Sequence, residues 1–418
     1  MAERTLEENR FIFTDMHLGE GKNNNLEYFE EDEKYCAAIR LIIERHRGEP
    51  VTLCQLGDTF DFLAVEYNGK TRAEPTEDAA IEQIEKIFAA HPKVIDVWRL
   101  WLEGGGKIKF FIGNHDLALS WANVKNYIRR ELTGGMSWNE QFNAFDKRIE
   151  FLLEEKKNGA YFTHGNNAES LHATPKNVFL TKRMSKPLLL PLLRHPYGNH
   201  SRTDLANPLA RGTRICKGNY WIGRLEPHWY VYLEAIWKNR WFALNALILW
   251  LIMPIRHRFS RRWWVRKSAG LVKLFLLNIE ALLLTLWDTF RGRGFTYYPE
   301  NILRDSGDID VVFLGHIHTC RREMHEKHGT FIYPGNWSVT YDVQFPKPEI
   351  KWKRFRRLER IVKTVWATRK MFRKKDSLCE PKRREIYSFG VCRFYGDGYK
   401  EIDLMRYNPQ KNCLEELN

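Results

Sequence analysis

The sequence predicts a layered α/β fold, and three observations predict it. β-prone runs alternate with segments of helical periodicity through the first third of the 418 residues. Five times a short apolar run stops at a polar group able to bind metal or move protons, usually beside a glycine that lets the backbone turn. The chain closes on a hairpin signal that returns it to the same core.

The first strand is expected over residues 10–15, where Phe11-Ile12-Phe13 runs into Asp15-Met16-His17. Residues i and i+2 of a strand share a face, so Asp15 and His17 can converge on one point just past its end. Residues 35–47 place Ala38, Leu41 and Ile42 at helical spacing, and strand 51–56 then ends in Gly57-Asp58. Residues 79–102 read as helical, with Ile81, Ile84, Ile87 and Phe88 on one face. Strand 107–112 leads into Gly113-Asn114-His115-Asp116, and Tyr161-Phe162-Thr163 stops at His164-Gly165. Val311-Val312-Phe313-Leu314 precedes Gly315-His316-Ile317-His318, a second pair at i and i+2. A lone histidine at a strand end is usually a hydrogen-bonded structural residue, and a lone Gly-Asp is usually a turn. Five such stops in order point instead to a metal site.

Between His164 and His316 the character of the chain changes. Residues 168–300 interrupt the core as a helical, hydrophobic and basic insertion. Leu188-Leu189-Leu190-Pro191-Leu192-Leu193 comes first, residues 241–255 carry no charge, and residues 271–287 carry only Lys273 and Glu280. Spanning a bilayer takes about 20 apolar residues, so neither run is long enough to read simply as a transmembrane helix. Lys238, Arg240, Arg256, Arg258, Arg261 and Arg262 flank the first run, with Trp263 and Trp264 beside them. Cations next to tryptophan suit anionic headgroups; a lid packed as a buried hairpin and a membrane-spanning pair stay open. A second insertion, 346–385, places Trp352, Phe355, Leu358, Ile361, Val362, Val365 and Trp366 at spacings of three and four, with Lys and Arg around them. Such a basic amphipathic helix reads as membrane-surface binding, with nucleic acid as the other anionic partner. Beyond it, residues 387–407 flank Gly396-Asp397-Gly398 as a hairpin. The core is thus expected to comprise residues 1–167, 301–345 and 386–418.

Composition bounds the rest. A formal charge of +14 implies an anionic partner, either nucleic acid or a membrane surface. Seven cysteines (36, 54, 216, 320, 379, 392, 413) are scattered without a Cys-x-x-Cys pair, which favours a reducing compartment. The polar residues 1–9 run straight into the first strand and form no secretory signal. The expected location is cytoplasmic, peripheral on the inner face of the membrane.

The ordered set Asp15-x-His17, Gly57-Asp58, Gly113-Asn114-His115-Asp116, His164 and Gly315-His316-x-His318 resembles the signature of the calcineurin-like metallophosphoesterases. The resemblance covers residues 10–167 and 301–345. It implies a four-layer αββα sandwich with the site at the carboxyl ends of the strands. It also implies two divalent metal ions, manganese on family grounds with iron or zinc as alternatives. Asp15, His17 and His318 would hold one metal and Asn114, His164 and His316 the other, with Asp58 bridging. His115 would serve the leaving oxygen, and Asp116 would orient His115. Gly57-Asp58-x-Phe60-Asp61 and Asp15-Met16-His17-Leu18-Gly19 are similar to the branch that contains the UDP-2,3-diacylglucosamine diphosphatases, where Phe60 and Phe62 alternatively just fill core. That branch typically has Gly-Asn-Arg-Asp, and this chain departs from it at His115. The expected substrate is a lipid-linked phosphodiester or diphosphate at a membrane surface; the alternative is a nuclease or soluble phosphodiesterase.

Overall fold

A computed structural model describes residues 4–133, 147–179, 192–207, 307–342 and 387–417 apart from short gaps, with a few short strands beyond them. In chain order, β1 (Leu6–Phe13) is followed by α1 (Asp32–Arg45), β2 (Val51–Leu56) and a small hairpin of β3 (Glu66–Tyr67) and β4 (Lys70–Thr71). Next come α2 (Glu77–Ala90), α3 (Pro92–Glu103), β5 (Lys107–Phe111), α4 (Ala122–Leu132), β6 (Ile149–Leu152), β7 (Glu154–Lys157) and β8 (Ala160–Thr163). The segment expected as one helical run over 79–102 is two helices. Pro92 starts the second, where its fixed φ and missing N–H suit a first turn but would break a helix interior.

Within the first insertion lie β9 (Arg214–Ile215), β10 (Tyr220–Trp221) and β11 (Leu225–Glu226). After it follow β12 (Val311–Leu314), β13 (Cys320–His325), β14 (Gly329–Pro334), β15 (Thr340–Asp342) and β16 (Lys382–Arg384). The chain ends with β17 (Ser388–Tyr395), β18 (Lys400–Asn408) and β19 (Cys413–Glu416), where β17 and β18 are the expected hairpin.

Two sheets carry the architecture. One has seven strands in the order β19-β18-β17-β1-β2-β5-β6, and the other five in the order β13-β14-β12-β8-β7. In the first, β1, β2 and β5 run parallel; in the second, β8, β12 and β14 do. Alternation along the strands decides what each face meets. From β1, Phe11 and Phe13 point to the helices, where Leu53, Phe110, Trp98 and Ile42 join them in the largest core cluster. Ile12 points the other way, joining Cys54, Leu56 and Phe111 against Phe162, Val311, Phe313 and Ile332 of the five-stranded sheet. Helices, sheet and facing sheet are therefore packed in that order. The far face of the five-stranded sheet carries Tyr161, Val312, Leu314, Phe331 and Tyr333, with Ile302 against them.

One end of the inter-sheet layer is ionic. Arg10, 1 % exposed, donates to both oxygens of Glu155 (Nη1 2.7 Å, Nη2 3.1 Å) and to Glu8 (3.0 Å), while Lys109 reaches Glu155 at 2.7 Å and Lys157 reaches Glu8 at 2.7 Å. These contacts tie β1 and β5 to β7. A short sheet of β11, β15 and β16 joins the two insertions through backbone pairing. The apolar runs 188–193, 241–255 and 271–287 and the basic segment 351–375 lie outside the described residues, apart from Leu192 and Leu193. No helix among the described residues is long and apolar enough to cross a membrane. The described cysteines are free thiols.

Candidate metal centre

The predicted residues meet where the parallel strands end. Asp15 and His17 follow β1, Asp58 follows β2, Asn114 and His115 follow β5, His164 follows β8, and His316 and His318 follow β12. Strands that run the same way deliver all five loops to one edge, the place where open α/β sheets bind ligands.

The backbone there is unusual. Asp15, His17, Asp58, His316 and His318 all adopt left-handed conformations, with φ of 53°, 54°, 49°, 68° and 49°. Non-glycine residues rarely do so, although Asp, Asn and His tolerate it best, and such strain clusters at functional sites. Close approach also needs glycine at two positions. A Cβ on Gly113 would collide with Oδ1 of Asp58, and one on Gly57, itself at φ 87°, would sit 2.5 Å from the His164 ring.

Three groups of possible ligand atoms result, each with its atoms within 4.8 Å of one another: Asp15, His17 and His318; His17, Asp58 and His115; and Asp58, His164 and His316. The first holds the residues expected for one ion; the third joins His164 and His316, two of the three expected for the other, to Asp58, which also belongs to the second. Nε2 of His17 lies 3.2 Å from Nε2 of His318, and Nε2 of His164 lies 3.2 Å from Oδ2 of Asp58. Donors set about 2.1 Å from a common cation are spaced by roughly 3 Å, so lone-pair atoms at this separation fit a shared ion. Asn114 Oδ1 is buried without a hydrogen-bond partner, as an atom meant for a metal would be. The donor set of imidazole and oxygen without thiolate suits manganese, iron or zinc.

Surrounding groups aim these ligands. His164 Nδ1 lies 3.0 Å from the carbonyl of Leu56, to which it can donate, and this turns Nε2 toward Asp58. Asp15 accepts from Thr14 Oγ1 at 2.6 Å and from the backbone N–H of His316 at 2.9 Å. Asp61 was missed by the sequence reading as a functional residue. Fully buried, it places Oδ1 2.8 Å from Nδ1 of His115 and Oδ2 3.3 Å from Nδ1 of His17. The orienting role expected of Asp116 falls to Asp61. Asp116 instead accepts backbone N–H groups of Gly113 (2.5 Å) and Thr59 (2.9 Å), clamping together the loops that carry Asn114 and Asp58. Its position next to His115 in sequence concealed this, because the two side chains leave the turn in different directions. Phe60 and Phe62 are buried in the helix-side core, Phe60 against Phe88, Trp98 and Phe110.

Electrostatics follow from burial and these partners. Burial pushes the Asp58 carboxyl up, but the imidazoles of His164 and His115 outweigh it and hold Asp58 well below the usual carboxylate range. Asp15 is lowered in the same way, against burial, chiefly by His318. Burial pulls His164 down, yet Asp58 lifts it to about 9. His115 is raised against burial by Asp61 and Asp58, whereas for His17 burial prevails and its basicity falls. Asp116 is pushed up to about 7 by burial and by the Asp58 carboxylate. The site thus gathers the lowered carboxyls of Asp15 and Asp58 among imidazoles, a set able to bind cations.

No protein-family model and no curated protein matches this chain.

Proposed function

We propose that the chain is a metal-dependent phosphoester hydrolase built on a four-layer αββα sandwich, acting through a dinuclear centre on a lipid-linked phosphodiester or diphosphate at a membrane surface. The observation that carries this reading is the set of three overlapping groups of possible ligand atoms, two of which share Asp58, on loops held in left-handed backbone. Asp15, His17 and His318 would hold one ion, and Asn114, His164 and His316 the other, with Asp58 offering an oxygen to each. When bound, such ions would supply an acidified water and neutralise charge on the phosphoryl oxygens. His115, fixed through Nδ1 by Asp61, keeps Nε2 for the substrate and holds a proton to deliver to the leaving oxygen. Asp116 keeps the Asp58 and Asn114 loops in register.

The interfacial substrate is supported by the apolar and basic composition of the two insertions, together with a likeness to the diacylglucosamine diphosphatase branch at Gly57-Asp58-x-Phe60-Asp61. The charge of +14 favours, as a second reading, a nuclease that tracks phosphate backbones. Hydrolysis with added manganese tests both, comparing a UDP-linked diacylglucosamine in mixed micelles with a soluble aryl phosphodiester and single-stranded DNA. Preference for the micellar lipid is expected, with turnover falling roughly 10² to 10⁴-fold in His115→Ala while bound manganese is retained. Equal or faster turnover of the soluble substrates would sink the interfacial reading.

A further inference from the structure

The peptide unit between Asn114 and His115 is held at both ends, by holders from different parts of the chain. Its N–H donates to Oδ1 of Asp58 at 2.8 Å, and its carbonyl accepts Nδ2 of Asn199, in the first insertion, at 2.6 Å. A peptide unit is planar, so fixing its oxygen and its hydrogen fixes the plane. With the plane go the directions in which Asn114 and His115 send their side chains. Asp58 belongs to the metal centre itself; Asn199 is support from outside it.

Asn199 is set in turn by His195. Nε2 of His195 lies 2.9 Å from the carbonyl of Glu74, and Nδ1 lies 3.2 Å from Nδ2 of Asn199. Burial pushes His195 down to about 4, so the ring is neutral near pH 7. A carbonyl only accepts, so Nε2 carries the hydrogen and Nδ1 accepts the second N–H of Asn199. That tautomer decides which end of the amide faces Asn114: the nitrogen. Asn114, Asn199 and His195 are all buried, so water does not compete for the carbonyl. Further along the same segment Asn207, fully buried, donates to the carbonyl of Leu63 at 2.7 Å and pins the segment to a different loop.

We propose that Asn199 is a positioning residue for the metal centre, setting through one hydrogen bond both the ligand Asn114 and the proton donor His115, so that the site is incomplete without the insertion. The inference rests on the roles given to Asn114 and His115 in the hydrolase reading above.

The test uses the full-length chain, stripped of metal by chelation and titrated calorimetrically with manganese. Losing an outer partner of a ligand weakens metal binding by roughly 10- to 100-fold. Asn199→Leu matches the amide in shape and has no donor, so one ion is expected to bind more weakly by that factor and the other as before. At saturating manganese its kcat on an aryl phosphodiester should stay about 10-fold below wild type with KM little changed, because refilling the site does not re-aim His115. Asn207→Leu controls for simple loosening of the segment: it should lower the thermal midpoint and keep both ions. Should Asn199→Leu fail to fold, Asn199→Ser keeps a hydroxyl donor on a shorter side chain, with a weakening of roughly 3- to 10-fold expected. Wild-type affinity for both ions in a folded Asn199 variant, or an equal loss in Asn207→Leu, would overturn the role of Asn199 and leave the hydrolase reading intact. A wild-type chain that binds two ions but cleaves no phosphoester would overturn the hydrolase reading alone, and one that binds no manganese would overturn both.

Discussion

Asp61 and Asp58 divide the work at the site, and substitution separates them. Asp58→Asn keeps a side chain that tolerates φ of 49° but removes a charge common to two of the three groups of possible ligand atoms, so it is expected to lose bound manganese, measured by elemental analysis after desalting. Asp61→Asn keeps every expected ligand. It weakens the aim of His115 and His17, and turnover is expected to fall about 10- to 100-fold with manganese still bound. The expected ligand positions were legible because each follows a short apolar run that ends in a polar stop, usually beside a glycine. Asp61 was not, because its value depends on the turn through Thr59 and Phe60 that swings it beneath two rings from other strands.

Between elements, the inter-sheet ion network and the α2–α3 junction carry separable loads. Glu155 is the carboxylate shared by Arg10 and Lys109, so Glu155→Ala leaves two buried cations without it and is expected to cost about 3 kcal/mol in denaturant unfolding. At the junction, His91 sits 2.9 Å from Asp32 and 3.5 Å from Glu27, the carboxylate that also accepts the N–H groups of Gly19, Gly21 and Phe29. Burial lowers His91, but these carboxylates lift it from 6.5 to about 9. Because the folded value is the higher one, its stabilisation is complete below about pH 6.5 and is lost as pH rises through about 9. The thermal midpoint is expected to fall across that window, and His91→Gln should flatten the fall. Sequence periodicity found α1, β2, β5 and the closing hairpin, yet it was silent on β7. Glu154–Lys157 is an edge strand made entirely of charge, specified by its partners Arg10 and Lys109 and not by any apolar alternation.

At the scale of the molecule, the two insertions leave the core at different points in sequence and are stitched together through β11, β15 and β16. If the basic segment 351–375 carries membrane attachment, replacing Arg354, Arg356, Arg357 and Arg360 by Gln should release the protein from anionic vesicles. The loss is expected to approach 1 kcal/mol per charge at low salt, read by sedimentation, with hydrolysis of a soluble aryl phosphodiester unchanged. Persistent sedimentation would shift attachment to residues 241–287.

The place of β1 in the seven-stranded sheet reaches into biosynthesis. Its neighbours are β2 on one side and β17 on the other, so the strand that presents Asp15 and His17 stays an open edge until residues 388–395 have left the ribosome. Until then Phe11 and Phe13 lack Phe389, on which Phe13 stacks at 4.9 Å. A frameshift or stop after residue 345 would keep every expected ligand and still yield a nascent chain with an unpaired, aromatic-rich edge, a species that folding quality control meets as an aggregation hazard. The C-terminal hairpin thereby makes translation to the end a condition for the site at the beginning.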